Sequence, residues 1–236
     1  MSANDRTPGL EKTLPWLATG TKFVATTVGK LSDGELREPS ILPGWSRAHV
    51  VAHLARNAEA LTRLATWART GVETPMYSSL EARSADIEAS AVLPADVLRA
   101  DLTTTAATLD EAIAALDETA WKATVRHAKG GPMGAVAIPW LRNRELWFHV
   151  VDLGADATFA DLPEDLVDTL LDEAAEMLSA KEDCPAALLA PADRDRSWRL
   201  GTDAAAPTVN DPAADTLAWL AGRKRHDSLP PVPGWL

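Results

Sequence analysis

A bundle of long α-helices joined to a small α/β domain is the fold class the sequence predicts, and three observations predict it. Up to Gly154, apolar residues recur at three- and four-residue spacing in four long segments, the content of a helical bundle. After Gly154 the segments shorten and are punctuated by Pro, Asp and Gly. The chain has 236 residues, 46% hydrophobic and 24% charged, enough for one large domain or two small ones with real cores. The predicted domains are a bundle over 1–158 and an α/β unit over 159–236. The smaller is marginal alone and is expected to pack on the bundle.

The first helix is expected over 11–31, where Leu14, Leu17, Val24, Val28 and Leu31 share the apolar spacing and Pro15 sits in an early turn. Residues 38–45 read as a loop, with Pro39, Pro43 and Gly44 as breakers. Ser46 then caps a helix that runs to Thr70 and stops at Gly71, with Trp45 and Val50 at the two positions of a hydrophobic staple. A weaker helical stretch over 77–90 precedes a strong one over 94–118, opened by Pro94 and Asp96. Residues 121–137 lose the period and contain Gly130-Gly131-Pro132, so they read as a long loop. The next helix opens at Pro139 and ends at Leu153 before Gly154. A helix from Pro163 to Ala180, short segments at 186–189 and 197–200, and a last helix between Asp211-Pro212 and Gly222 complete the chain.

Charge and composition exclude several function classes. The net charge is −11, from 23 basic and 34 acidic residues, which is the wrong sign for displacing counterions from nucleic acid or docking on an anionic membrane. No apolar run approaches the roughly 18 residues of a membrane span. The stretch from Met1 to Leu10 has no apolar core of a secretory signal. Cys184 is the single cysteine, which rules out an internal disulfide and fits a reducing cytoplasm. Nine Trp against three Phe and one Tyr is an unusual aromatic balance.

Two helices carry the candidate chemistry. On the helix from Ser46, at about 100° per residue, His53 and Asn57 fall on the stripe of Val50, Leu54, Leu61 and Leu64, and His49 lies on its edge. A buried imidazole and amide need partners, since unpaired burial costs roughly 1–3 kcal/mol per group. A hydrogen-bonded core histidine satisfies that need as well as a ligand does. On the helix from Pro139, Arg142, Glu145, His149 and Asp152 fall within about 80° of one another. Such a stripe is either a solvent face stitched by ion pairs or an internal polar site. The surrounding Leu146, Trp147, Phe148, Val150 and Val151 favour the internal site. Glu145 and His149 stand one turn apart and can grip one ion. A histidine from a facing helix would complete a His₂Glu set, suited to zinc with an open fourth position. His127 and His226 read as surface residues, Cys184 as a structural thiol, and His49, at the third helical position, as a capping or surface group.

Three ordered motifs bring a resemblance that covers nearly the whole chain. Pro39-Ser40-Ile41-Leu42-Pro43-Gly44-Trp45-Ser46 with Val50-Val51-Ala52-His53-Leu54-Ala55, then Arg144-Glu145-Leu146-Trp147-Phe148-His149-Val150-Val151-Asp152, then Leu217-Ala218-Trp219-Leu220-Ala221-Gly222-Arg223 resemble the motifs of mycothiol-dependent maleylpyruvate isomerases. The resemblance implies a DinB-like metal-binding four-helix bundle and a C-terminal α/β domain similar to sterol-carrier folds. It implies zinc held by His53, Glu145 and His149, mycothiol as the thiol cofactor, and a catalytic role for Arg223 on a carboxylate of substrate or cofactor. The implied reaction is cis-trans isomerisation of maleylpyruvate to fumarylpyruvate in gentisate-type aromatic catabolism. A thiolate adds to the conjugated double bond, the resulting single bond rotates, and elimination restores the bond as trans. An ordinary thiol, with a pKa near roughly 8.5, is mostly protonated at neutral pH, so an open zinc position serves to deprotonate it. Arg142, Arg144 and Arg223 are the candidate cations for a small anionic substrate in an acidic protein. The alternatives are a mycothiol S-transferase with the same metal set, or a non-catalytic zinc- or ligand-binding module. The expected setting is cytoplasmic, without nucleic-acid or membrane partners; the oligomeric state is open, with a monomer as the working expectation.

Overall fold

A computed structural model describes residues 7–203 and 205–235, so the first six residues of the polar N-terminal stretch lie outside the described residues. The chain separates into two compact units, Met1–Ala157 and Thr158–Leu236. No helix among the described residues is long and apolar enough to cross a membrane.

The first unit holds α1 (Leu10–Lys30), α2 (Asp33–Arg37), α3 (Arg47–Thr70), α4 (Leu80–Ala91), α5 (Ala95–Ala114), α6 (Glu118–Trp121) and α7 (Ile138–Asp152). Four of these close a ring of contacts: α1 packs on α7 and α5, and α3 packs on α5 and α7, with α4 laid against α3. The apolar stripes read from the sequence are the faces that meet. Val24 and Val28 of α1, Leu54, Leu61 and Leu64 of α3, and Leu98, Leu102 and Leu109 of α5 are buried. α1 and α7 approach closely at Gly20. A Cβ built on Gly20 would stand 2.8 Å from the Trp147 indole nitrogen, so the missing side chain is what lets the indole seat.

Several local expectations are revised. Pro15 lies in the second turn of α1, which continues through it. The segment after α1 contains α2, started by a reciprocal capping box between Ser32 and Glu35. Residues 121–137 are not an unstructured loop. They hold β1 (Thr124–Arg126) and β2 (Pro132–Gly134), paired antiparallel with Val125 opposite Met133, and then a short 3-10 turn over Ala135–Ala137. Such three-residue strands are too short to show an alternating pattern.

The second unit contains α8 (Glu164–Ser179), β3 (Ala187–Leu189), β4 (Trp198–Leu200), β5 (Thr208–Val209) and α9 (Ala213–Leu220). The sheet has the order β4-β3-β5, antiparallel on one side of β3 and parallel on the other. Leu166, Leu170, Leu171 and Leu178 of α8 are buried, and α8 packs on β4 and α9. Gly222 ends α9 in the left-handed conformation, φ +72°, and Arg223 follows it.

Candidate metal centre

The start of α3 is clipped to the end of α7, and this fixes the two site-bearing helices in register. The Arg47 guanidinium donates to the Leu153 carbonyl at 2.8 Å and the Gly154 carbonyl at 2.9 Å, while the Ile41 amide donates to the Asp152 carbonyl at 3.1 Å. Gly154 takes φ +61° with Ile41 against it, a backbone state that favours glycine. At the head of α3, the Ser46 hydroxyl accepts from the His49 amide and meets His49 Nδ1 at 2.7 Å. His49 therefore completes a capping box, and its Nε2 lies 3.2 Å from Glu88.

One turn further on, the His53 side chain is 4% exposed and its Nε2 lies 2.7 Å from Glu145 Oε2. His149 Nε2 approaches the same oxygen at 3.3 Å. The two imidazoles meet edge to face, 4.7 Å between centroids. The structure thus brings together the three residues that the resemblance implied, with one ligand atom from each within 4.8 Å of the others. Tetrahedral zinc, with bonds of roughly 2.0–2.1 Å, sets its ligand atoms about 3.3 Å apart. The donor types suit such an ion, and the two distances to Glu145, 2.7 and 3.3 Å, already lie near that spacing.

Electrostatics hold the set ready. Burial opposes ionisation of Glu145, yet hydrogen bonds from His149 and His53 keep its carboxyl well below the usual range. His149 is pushed up to about 9: burial works against its charge, and Asp152 with Glu145 outweighs burial. His53 is lowered because burial exceeds the pull of Glu145. Asp152 is fully buried and lies 2.8 Å from His149 Nδ1, which reserves Nε2 for Glu145 or an ion. Asp152→Asn should therefore weaken zinc binding roughly 10- to 100-fold, measured by competition with a chromophoric chelator.

Arg142, an expected pocket cation, is instead a brace inside the bundle. It is 1% exposed and donates to the Leu54 carbonyl at 2.7 Å and to Asn57 Oδ1 at 2.8 Å. This is the partner that buried Asn57 required. Arg144 is half-buried on α7. Arg223 belongs to the second unit, where its Nη1 donates to the Ala221 carbonyl at 2.6 Å. Cys184 is half-buried, and burial together with Asp183 raises its thiol pKa, which lowers its thiolate fraction. His127 and His226 stay outside the set, His226 beside Asp211 at 3.3 Å.

Two further side chains lie against His53. Trp45 packs its ring 5.6 Å from the His53 ring and 6.2 Å from that of His49, so it walls the site in addition to entering α3. Arg83 of α4 places Nη2 3.1 Å from His53 Nδ1. Only a residue-level contact between α3 and the weak helix could have found it.

A His₂Glu set, one member buried and two half-buried, held between helices of a ring-packed unit defines a metal-binding helical protein. Residues 17–154 match the family described as the mycothiol maleylpyruvate isomerase N-terminal domain, and the chain belongs to that family. Two solved structures resemble the whole chain. One is a mycothiol-dependent maleylpyruvate isomerase, 35% identical with a TM-score of 0.86. The other is a histidine-to-alanine mutant of a mycothiol-dependent maleylpyruvate isomerase, 34% identical with a TM-score of 0.85. Each comparison covers 100% of both chains. No curated protein matches the sequence.

Proposed function

We propose that the chain is a zinc- and mycothiol-dependent cis-trans isomerase converting maleylpyruvate to fumarylpyruvate. The observation that carries this reading is the convergence of His53, Glu145 and His149 in a chain that resembles such an isomerase over its full length. Zinc supplies Lewis acidity that keeps a thiol deprotonated near neutral pH, and mycothiol supplies the thiol. The protein's part is to build and shield that centre. His53 and His149 offer imidazole nitrogens and Glu145 a carboxylate, a set with one negative charge. It offsets half the charge of a divalent ion, so the centre remains attractive to an anionic fourth ligand. Asp152 orients His149, and Trp45 covers His53.

The same proposal makes 1–158 a DinB-like metal-binding four-helix bundle and 159–236 a sterol-carrier-like α/β domain. It gives Arg223 the role of holding a carboxylate of substrate or cofactor, supported by the motif Leu217–Arg223 around it. A cytoplasmic setting goes with a cofactor that works as a reduced thiol.

Metal-replete protein given maleylpyruvate and mycothiol should form fumarylpyruvate, and none should form without the thiol or after EDTA. Accumulation of a stable mycothiol conjugate would favour the S-transferase, and full turnover after EDTA would overturn the reading. Arg223→Ala is expected to lower kcat/KM roughly 100-fold with zinc content unchanged.

A further inference from the structure

Arg83 is a cation that neither the metal set nor the fold accounts for. It is half-buried on α4, with Nη2 3.1 Å from His53 Nδ1 and its guanidinium carbon 5.8 Å from the centroid of the Tyr77 ring. Several arginines elsewhere in this unit are committed to structure. Arg37, Arg47, Arg99 and Arg142 donate to main-chain carbonyls, and Arg56 is paired with Asp101. Arg83 has no carboxylate at ion-pairing distance among the described residues. Glu88, an acidic side chain further along α4, faces His49 instead.

The bond to His53 is also one that ligation undoes. A guanidinium only donates, so His53 Nδ1 is the acceptor and its proton sits on Nε2, toward Glu145. When Nε2 serves as a metal ligand, the neutral ring carries its proton on Nδ1, where it faces another donor. The guanidinium would then lose that acceptor and would keep its place beside Tyr77. A half-buried guanidinium with no anion, at the rim of a site meant for a dianion, matches the bidentate geometry of a carboxylate.

We propose that Arg83, steadied by Tyr77, is the arm that binds a carboxylate of the anionic substrate beside the metal centre. The proposal rests on the maleylpyruvate reading for the identity of that substrate. Its test uses maleate, a cis-dicarboxylate, on zinc-loaded full-length protein without mycothiol, with binding followed by calorimetry. Wild type should bind maleate. Arg83→Met should bind it at least tenfold more weakly, with unchanged zinc content, and Arg83→Lys should recover part of the loss. With mycothiol present, the Arg83→Met KM for maleylpyruvate should rise by a similar factor. Equal maleate binding by wild type and Arg83→Met, or none by wild type, overturns the arm. Arg83-dependent maleate binding in a protein that never turns over maleylpyruvate would support the arm and sink the isomerase reading.

Discussion

Replacing His53 with alanine should empty the zinc site and reduce isomerase activity by about a thousandfold or more, since metal-ion catalysis contributes several kcal/mol. The expectation follows from geometry. His53 is the only ligand in the set that α3 supplies; Glu145 and His149 share α7. Two ligands one turn apart cannot close a tetrahedral site, so losing the third removes more than a third of the binding. The fold should survive, because the deleted ring leaves a small cavity whose cost is about 1–3 kcal/mol. His53→Gln separates the two roles. An amide can restore the hydrogen bond to Glu145 without offering a good zinc ligand, so it should recover stability and leave metal content low. Metal analysis and a thermal melt on the same samples check both statements. Retained stoichiometric zinc in His53→Ala would show that the ion is bound elsewhere.

The metal set was legible in the sequence because helical phase put its members on inward faces and the resemblance joined them into one set. Once Ser46 fixes the start of α3 and Pro139 that of α7, each side chain's face follows from 100° steps. Asn57 on the same stripe demanded a partner, and Arg142 proved to be it. The contacts between separate elements could not be read that way. Arg83 sits on a helix with weak apolar periodicity, and its approach to His53 depends on how α4 lies across α3. Trp45 looked like an entry staple, and only the folded loop reveals its second face, packed on imidazole. The hairpin of β1 and β2 was hidden for a different reason, since three-residue strands carry no usable period. Ser32 and Glu35 did carry a signal, the capping-box spacing, which marks even a five-residue helix.

Arg142→Ala should be the most destabilising single change in the bundle, by about 3–5 kcal/mol. Three destabilising effects meet one opposing effect there. The substitution removes two hydrogen bonds, strands Asn57 Oδ1 in a buried position and opens a cavity the length of the side chain. Against these stands the relief of a buried charge, since burial lowers the Arg142 pKa to about 10 and its Nε and Nη2 find no partner among the described residues. The direction of that shift fixes a sign. The charge costs stability at all pH values below about 10, and only above that does deprotonation relieve it. At neutral pH the cost is therefore fully present in the wild type. Arg142→Met keeps most of the volume and should lose only about 1–3 kcal/mol, chiefly from the stranded Asn57. The double variant Asn57→Leu/Arg142→Met removes that residue of cost and should return close to wild-type stability in urea unfolding. Zinc content separates bracing from charge. If Arg142 acts by holding α7 in register with α3, the well-packed double variant keeps its zinc while Arg142→Ala loses it. Equal zinc loss in both would mean that the guanidinium acts on Glu145 through its charge.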